Sequence, residues 1–329
     1  MEIHTVLVTA NFQGDHWKRL EVALTPAHII RVDGKDATEL EAAIVQADVA
    51  IVRGDLDSRY LHRERLRWAH CDHAGIEKSA RPEVFDSGLL VTGSAGRSAP
   101  ALAEHAMLFM LAFSYNFPRF LDAQRQHKWG IVGQNELRGL IGKTVGILGL
   151  GHTGQELAAR CKAFGMEVLA WRRKALPHTA VDHLFAAETG DGIDDLLRQS
   201  DFVVLALPLS DQTWHLLGKR EFACMKNTAF LVNMARGNII DESALLKALQ
   251  DSEIAGAGLD TFSQEPLPVS SPLWDQPNVL ITPHVTPQVP DRTGAALDIL
   301  CGNIRRYRAN ETLVNLLRPE DVYTKGQNG

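Results

Sequence analysis

The chain of 329 residues contains only four cysteines, and no two of them form a CxxC pair. They are Cys71, Cys161, Cys224 and Cys301. Widely separated cysteines are typical of reduced, mostly buried thiols in a reducing compartment, whereas small secreted domains depend on closely spaced pairs. We therefore expect free thiols and a cytoplasmic location.

The sequence also has no apolar run long enough to cross a membrane. The most apolar stretch, AMLFMLAF at 106–113, is far shorter than the roughly 20 residues of a transmembrane helix. The N-terminal MEIHTVLVTANF has an acid at position 2 and an apolar run too short for a signal peptide. We expect a soluble protein without a membrane partner.

An excess of positive charge is missing as well. There are 34 lysines and arginines against 40 aspartates and glutamates, which gives a net charge of −6. This balance argues against a nucleic-acid partner, which would favour a basic surface. Hydrophobic residues at 45% and charged residues at 22% are ordinary for a globular protein, and the length suits two domains.

Short apolar runs alternate with helical patterns along most of the chain. Many of the runs are continuous rather than alternating, as expected for strands that are covered on both faces. This alternation predicts parallel sheets built from βαβ units, and the number of strands is too large for one open sheet. We thus predict an α/β protein with two sheets. The predicted strands are 5–9, 29–32, 49–52, 67–70, 89–92, 144–148, 168–171, 202–206, 229–233, 255–260 and 279–282.

A long helical pattern at 100–127, preceded by the turn-forming SAGRSAPA, marks a predicted domain boundary. This apolar helix and the connector after it, 128–142, are too hydrophobic and too long for a purely internal link, and they predict a homodimer. A second boundary is predicted after residue 286, where TPQVPDRT leads into a final amphipathic helix at 291–308. The last residues, 318–329, have the composition of a frayed polar tail.

The clearest motif is a glycine-rich turn, GLGHTG, between a predicted strand and a helix. In this G-x-G-x-x-G pattern, Gly149 permits the tight turn, Gly151 lets a pyrophosphate approach the backbone, and Gly154 lets the helix pack on the strand. Phosphates then lie at the positive N-terminus of the helix, beside the backbone of His152 and Thr153. The pattern predicts dinucleotide binding, with a tight turn that binds no ligand as the alternative.

A basic cluster follows this turn by about twenty residues. NAD-binding units often place an acid there, where it accepts both ribose hydroxyls, but this chain has Arg172, Arg173 and Lys174. A solvated charge run on a loop would also explain three cations. The lack of any acid at 171–174 favours binding of a 2′-phosphate.

Four polar residues lie further along the chain, where predicted strands end in loops. Arg236, Asp260, Glu265 and His284 follow three such strands, and the carboxyl edge of a parallel sheet is where ligands bind. Each has a simple structural alternative, such as a surface ion pair for Arg236 or a turn acid for Glu265. Beside a dinucleotide site, however, an arginine, a carboxylate and a histidine at neighbouring strand ends indicate a hydride-transfer centre.

With these motifs the sequence resembles the D-isomer-specific 2-hydroxyacid dehydrogenases, the family of glyoxylate and hydroxypyruvate reductases. The resemblance implies a Rossmann doubly wound parallel sheet in a dinucleotide-binding domain, 99–286, inserted into a flavodoxin-like substrate domain, 1–98 and 287–329. The landmarks are AEH at 103–105, GLGHTG at 149–154, LALPLSDQT at 205–213, NMARG at 233–237, GLDTFSQEPLP at 258–268 and TPH at 282–284.

The resemblance assigns catalysis to Arg236, Glu265 and His284. An arginine fork can hold the carboxylate of a 2-oxoacid and polarise its ketone. His284 is expected to donate a proton to the carbonyl oxygen as hydride arrives from the nicotinamide, and Glu265 to hold the other ring nitrogen. The implied reaction is the reduction of a small 2-oxoacid, such as glyoxylate or hydroxypyruvate, to the D-2-hydroxyacid.

Further contacts with substrate and cofactor are implied. The backbone amides of the HAGIE segment, chiefly those of Ala74 and Gly75, are expected to hold the substrate carboxylate. Asp260 should face the nicotinamide amide, and Pro208 and Ala235 should line the cofactor site. Together with the basic cluster this predicts NADP as the cofactor, with NADPH preferred and NAD as the alternative. The resemblance also points to a homodimer.

Three other interpretations fit the sequence less well. A non-catalytic, dinucleotide-sensing corepressor of the same fold can keep the same three residues, but a short acidic chain favours the enzyme. A short-chain reductase is rejected because no tyrosine is followed by lysine four residues later. HCDH at 70–73 looks like a metal cluster, but consecutive strand residues point to opposite faces and no second ligand pair follows, so we expect no metal.

Overall fold

A computed structural model describes residues 1–286 and 288–325 and divides the chain into two compact units. The first unit consists of Met1–Ser98 and Val289–Gly329, and the second of Ala99–Gln288. The boundary predicted between residues 286 and 287 falls at Pro287, which lies outside the described residues. The first unit is thus discontinuous in sequence, while the substrate and cofactor roles expected of the two units stay predictions.

A five-stranded parallel sheet forms the centre of the first unit. Its elements are β1 (Thr5–Val8), α1 (Gly14–Leu24), β2 (His28–Arg31), α2 (Ala37–Gln46), β3 (Val49–Val52), β4 (Trp68–Cys71), α3 (Pro82–Asp86) and β5 (Leu90–Thr92). The strand order is β2-β1-β3-β4-β5, the flavodoxin-like order that the resemblance implied. All four residues of β3, VAIV, are buried, which explains its continuous apolar sequence.

The second unit contains a seven-stranded parallel sheet. Its strands are β6 (Thr144–Leu148), β7 (Glu167–Arg172), β8 (His183–Ala186), β9 (Phe202–Leu205), β10 (Phe230–Asn233), β11 (Gly256–Leu259) and β12 (Val279–Ile281). Their order is β12-β11-β10-β9-β6-β7-β8, so the winding reverses between β6 and β9, and ligands bind at such a switch point. The predicted α/β fold with two parallel sheets is confirmed, with β8 as one strand more than predicted.

The helices of the second unit cover both faces of its sheet. They are α4 (Ala99–Ser114), α5 (Phe117–Arg125), α6 (His152–Ala163), α7 (Asp194–Gln199), α8 (Lys219–Cys224) and α9 (Glu242–Gln250). The single helix predicted at 100–127 is wrong, because the chain turns between α4 and α5. Asn116 has a left-handed φ of 48°, and Pro118, in the first turn of α5, has no N–H with which to continue α4.

After the second unit the chain returns to the first in α10 (Arg292–Arg308). Asp291 caps this helix by accepting a hydrogen bond from the Gly294 N–H at 2.7 Å. The apolar side of α10 packs on one face of the five-stranded sheet. There Tyr307 stacks on the buried Trp68 with 5.2 Å between ring centroids.

The end of the chain is ordered as far as the structure describes it. Tyr323 is buried, and its N–H donates to Ala80 O at 2.8 Å. The predicted frayed tail is therefore wrong for residues 318–323, because the buried ring of Tyr323 anchors them, and residues 326–329 lie outside the described part. None of the helices described is long and apolar enough to cross a bilayer.

Candidate active site

The glycine-rich turn joins β6 to α6 at the carboxyl edge of the seven-stranded sheet. Gly149 has a φ of 103°, and a Cβ there would come within 2.6 Å of Ala206 O. A Cβ on Gly154 would lie 2.0 Å from Gly149 O. Around Gly151, by contrast, a Cβ would meet nothing within 4 Å, and its φ of −85° is ordinary. The fold requires the first and third glycines, while the open space at Gly151 suits a ligand that approaches the backbone.

The first turn of α6 presents its backbone N–H groups beside this turn. The helix begins at His152, and no side chain caps its N-terminus. N–H groups without a capping side chain and the positive end of the helix dipole attract an anion. The residues predicted to hold a pyrophosphate, from Gly149 to Gly154, therefore fit that group, although the contact itself stays a prediction.

The basic cluster lies at the end of β7, in the same unit. Arg172 is half-buried and donates to a carbonyl of its own loop at 3.1 Å, whereas Arg173 and Lys174 are exposed. Glu188 holds this loop: its N–H donates to Arg173 O at 3.0 Å, and its carboxylate accepts from the Ala175 N–H. No sequence pattern marks Glu188, because its partners lie more than ten residues earlier in the chain.

His284 and Glu265 are in contact although they follow different strands. His284 Nδ1 lies 2.7 Å from Glu265 Oε2, and Glu265 Oε1 accepts from the Phe262 N–H at 3.0 Å. The two side chains are 38% and 37% exposed. The carboxylate favours a proton on Nδ1, and His284 Nε2 has no hydrogen-bond partner among the residues described. This is the arrangement of a partly exposed general acid or base with a second group that orients it.

Arg236 lies in the loop after β10, and this loop is in backbone contact with the loop after β11. A Cβ on Gly237 would lie 1.9 Å from the carbonyl carbon of Phe262, so only glycine permits the approach. The buried Asn233 shapes the loop by accepting from the Ala235 N–H and donating to Arg236 O, both at 3.0 Å. Arg236 and the residue that orients His284 thus lie on two contacting loops.

Asp260 is buried, and both of its carboxylate oxygens have partners within the second unit. Oδ1 accepts from Thr282 Oγ1 at 2.6 Å and from the Val285 N–H at 3.1 Å. Oδ2 accepts from the Thr286 N–H at 3.2 Å and from the Thr286 hydroxyl. Asp260 therefore clamps the chain on both sides of His284, whose φ of 51° is left-handed. Its contact with a nicotinamide amide stays a prediction.

His105, in the AEH landmark, extends this clamp. Its Nε2 lies 3.0 Å from Thr282 Oγ1, and because that hydroxyl already donates to Asp260, His105 must be the donor through Nε2–H. Burial lowers the pKa of His105 and so favours the neutral ring, while attraction to Asp260 acts in the opposite direction. The hydrogen bond of His105 could not be predicted from the sequence, because its partner Thr282 is 177 residues away.

Comparison with known proteins decides the family. A profile described as D-isomer specific 2-hydroxyacid dehydrogenase, NAD binding domain, matches residues 107–286, more than half of the chain. The chain belongs to this family.

Two relatives and one solved structure support the assignment. D-3-phosphoglycerate dehydrogenase of Methanocaldococcus jannaschii is 31% identical to this chain over 96% of the chain's length. The chain spans only 60% of the length of that relative. Glyoxylate/hydroxypyruvate reductase B of Yersinia enterocolitica is 32% identical over 85% of this chain and 87% of its own. A D-isomer specific 2-hydroxyacid dehydrogenase from Xanthobacter autotrophicus Py2, solved with NADPH and MES, is 30% identical with a TM-score of 0.79, covering 97% and 99% of the two chains. The predicted family and class of enzyme are confirmed, and none of the three supports the corepressor alternative.

The remaining predicted residues of the dehydrogenase lie in both units. Pro208 follows β9 at the carboxyl edge of the seven-stranded sheet, and its carbonyl accepts from Thr213 Oγ1 at 2.7 Å, which closes the LPLSDQT segment into a turn. Ala74 and Gly75 belong to the first unit, in the loop after β4, where Ala74 is exposed and Gly75 half-buried. Within residues 1–286 and 288–325, no group of three or more His, Cys, Asp or Glu side chains could hold a metal ion.

Proposed function

We propose that this dehydrogenase reduces small 2-oxoacids of the glyoxylate and hydroxypyruvate kind to D-2-hydroxyacids, with NADPH as its preferred cofactor. The observation that carries the proposal is the 2.7 Å contact between His284 Nδ1 and Glu265 Oε2. The contact lies at the sheet edge that also holds the glycine-rich turn. The name of the Yersinia relative and the NADPH in the Xanthobacter structure support the same conclusion.

The cofactor is assigned to the carboxyl edge of the seven-stranded sheet. The backbone of Gly151, His152 and Thr153 would hold the pyrophosphate, because a Cβ at Gly151 would stand in open space and α6 has no side-chain cap. Pro208, Ala235 and Asp260 remain the proposed neighbours of the nicotinamide end. When bound, NADPH supplies the hydride for the carbonyl carbon of the substrate.

The substrate is assigned to Arg236, Glu265 and His284, which lie in the loops after β10, β11 and β12. Arg236 would hold the carboxylate and polarise the ketone through its two-pronged guanidinium. The backbone amides of Ala74 and Gly75 remain proposed substrate contacts. His284 Nε2 donates its proton to the carbonyl oxygen, which becomes the hydroxyl of the product. Glu265 holds the ring through Nδ1, and in the reverse direction His284 takes the proton back.

The preference for NADPH is assigned to the cations after β7. Charge-assisted hydrogen bonds from Arg172 and Arg173 to a 2′-phosphate would contribute on the order of 1.5–3 kcal/mol each. Since about 1.4 kcal/mol corresponds to a factor of ten, one such bond gives a preference of roughly tenfold or more. Glu188 supports this role because its carboxylate accepts from the backbone of the same loop and holds the loop in place.

We also propose a homodimer that is joined through α4, α5 and the connector after them. Large apolar side chains are exposed along this part of the second unit, a pattern typical of a surface that another protein covers. They are Leu108, Phe117, Trp129, Val132 and Ile141. In sedimentation we expect a species of twice 36.3 kDa, and a species of 36.3 kDa at micromolar concentration would contradict the proposal.

A cytoplasmic location is the last part of the proposal. All four cysteines are free, and Cys71 and Cys161 are buried. Burial raises the pKa of Cys161 to about 12, so this thiol is unreactive toward disulfide exchange. Recovery of the native protein mainly from an oxidising compartment would contradict the location.

The test of the proposed activity is a panel of 2-oxoacids of increasing side-chain size, assayed with NADPH and with NADH. We expect the highest kcat/KM with glyoxylate and hydroxypyruvate, and a ratio of NADPH to NADH of about tenfold or more. Arg172→Asp should lower or reverse that ratio, whereas Lys35→Asp, at an exposed cation of the first unit, should leave it unchanged. Negligible turnover with every acid would reject the enzyme and favour the corepressor, and equal or better rates with NADH would reject the cofactor preference.

A further inference from the structure

A charged cluster lies in the first unit, at the carboxyl edge of the five-stranded sheet. His73 Nε2 lies 3.3 Å from Asp55 Oδ2, and His73 Nδ1 lies 3.6 Å from Asp72 Oδ1. Asp55 comes from the loop after β3, while Asp72 and His73 begin the loop after β4, and these two strands are paired neighbours. The activity described above gives none of these three residues a role.

Hydrogen bonds to the surrounding loops fix the cluster in place. Asp55 Oδ1 accepts from Ser79 Oγ at 2.6 Å, and Asp72 Oδ1 accepts from the Gly54 N–H at 3.1 Å. The His73 carbonyl accepts from the Ser94 N–H at 2.8 Å. The side chains of His73, Asp55 and Asp72 are only 26%, 23% and 28% exposed. Both ring nitrogens are thus held toward carboxylates in a largely buried setting.

This setting makes His73 a cation at neutral pH. Burial disfavours the charged ring, but the hydrogen bond to Asp55 and the attraction of Asp55 and Asp72 outweigh burial and raise the pKa of His73 to about 9. The same contacts keep the pKa of both acids below its ordinary value, against the opposing effect of burial. One imidazolium between two carboxylates leaves the cluster with one net negative charge.

Of the other groups near the cluster, Arg97 also attracts Asp72, whereas His73 lies between both acids. Arg97 donates to the backbone carbonyl of Asp72, and its pKa is lowered by burial and by repulsion from Arg292. The buried His70 is neutral, because burial lowers its pKa to about 4. Loss of the charge on His73 would therefore leave two carboxylates without their nearest counter-ion.

The residues after His73 are Ala74 and Gly75, whose amides are assigned to the substrate carboxylate. We propose that His73 is a positioning residue for that carboxylate: its ring, held between Asp55 and Asp72, fixes the loop that presents these amides and offsets two acids that would otherwise repel an anion. This inference rests on the proposed function. It gives this chain a determinant of affinity for anionic substrates outside the catalytic trio.

The effect should appear in binding rather than in the chemical step. If the substrate carboxylate is held equally in the ground state and the transition state, loss of that contact raises KM and leaves kcat nearly unaltered. The charge account also predicts opposite signs for two substitutions in one cluster. Removal of the cation in His73→Gln should weaken anion binding, whereas removal of an acid in Asp55→Asn should leave it unchanged or tighten it. A purely structural role would make both variants weaker.

The experiment measures the Kd of oxamate, an unreactive monoanion with the carboxylate–carbonyl core of a 2-oxoacid, by calorimetry in the presence of NADPH. The KM and kcat for glyoxylate are measured on the same samples. For His73→Gln we expect a rise of about tenfold or more in both Kd and KM, with kcat within about twofold and an unchanged Kd for NADPH. The control is His4→Gln, which removes an exposed histidine beside Glu2 at the opposite edge of the sheet and should change nothing.

The outcomes separate this inference from the proposed function. If His73→Gln leaves both constants within about twofold of wild type, or if Asp55→Asn weakens oxamate as much as His73→Gln does, the inference is overturned. If the wild type binds oxamate through His73 but turns over no 2-oxoacid, the carboxylate site stands and the proposed reaction fails. If the wild type does not bind oxamate at all, both are overturned. If His73→Gln does not fold, the Kd of oxamate for Asp55→Asn still tests the inference, because an increase in that Kd would contradict it.

Discussion

His284 Nδ1 lies 2.7 Å from Glu265 Oε2, and the contact joins the loops that follow β12 and β11. The other oxygen of Glu265 accepts from the Phe262 N–H, so the carboxylate is held on both sides. Through Phe262 the pair is linked to the backbone beside Arg236. Three residues that lie far apart in sequence thus share one supporting framework.

Glu265→Gln tests the charge of this pair. An amide oxygen can still accept from His284 Nδ1, but it cannot stabilise a charged ring as a carboxylate does. We expect kcat to fall by about tenfold or more, with the Kd for NADPH unchanged in fluorescence titration. Full turnover in this variant would show that orientation of the ring, without the negative charge, is sufficient.

The glycine-rich turn allows folding and binding to be tested separately. A methyl group at Gly154 would crowd Gly149 O at 2.0 Å, so Gly154→Ala should destabilise the protein by roughly 1–3 kcal/mol. A methyl group at Gly151 meets no protein atom within 4 Å, so Gly151→Ala should keep the wild-type Tm. It should nevertheless raise the Kd for NADPH by about tenfold or more, because it fills the approach of the pyrophosphate. NADPH binding unaltered by Gly151→Ala would refute the proposed cofactor cradle.

Asp260→Asn tests the clamp around His284. An asparagine can accept at one oxygen only, so at least one donor among Thr282, Val285 and Thr286 loses its partner, at a cost of about 1–3 kcal/mol. We expect a Tm lower by several degrees and a reduced kcat. His105→Gln is the matched control, because glutamine keeps an N–H donor for Thr282, and it should be milder than His105→Leu. Equal effects of the two His105 variants would count against the hydrogen-bonded chain.

The stability of the protein should fall as pH rises from 6.5 to 9. The pKa of His73 is raised from its usual 6.5 to about 9, so in this window the folded state binds a proton that the unfolded state has lost. The stabilisation is fully present below pH 6.5 and is lost as the pH passes through 9, up to about 3 kcal/mol. Urea unfolding of wild type across this range should show the loss, and His73→Gln should be less stable at pH 6.5 with a flatter profile. Parallel profiles for the two proteins would contradict the ion pair.

Local patterns predict most of the fold because buried parallel strands have continuous apolar sequences, as VAIV in β3 shows. They fail where strands and helices do not alternate or where one residue changes the chain direction. The edge strand β8, HLFA, follows β7 with no helix between them, so the alternation of strands and helices does not mark it. Asn116 sits inside a helical pattern, but its left-handed φ and the nearby Pro118 end one helix and start the next.

The candidate site was predictable where each motif lies next to a strand end, as with Arg236, Glu265 and His284. The residues that hold these three side chains in place could not be predicted, because their contacts join distant parts of the chain. The hydrogen bond between His105 and Thr282 spans 177 residues, and HCDH became informative only when the fold placed Asp55 beside His73. A single sequence shows which residues can carry the chemistry, whereas three-dimensional contacts show what orients them.

Proton donation by His284 to a 2-oxoacid is the central step of the proposed reaction. The most direct test is the kcat of NADPH-dependent glyoxylate reduction for His284→Gln beside the wild type, with the Kd for NADPH measured on the same samples. We expect a fall in kcat of at least about a hundredfold with an unchanged Kd, since a general acid contributes that much and is not needed to hold the dinucleotide. Turnover near that of the wild type in His284→Gln would contradict it.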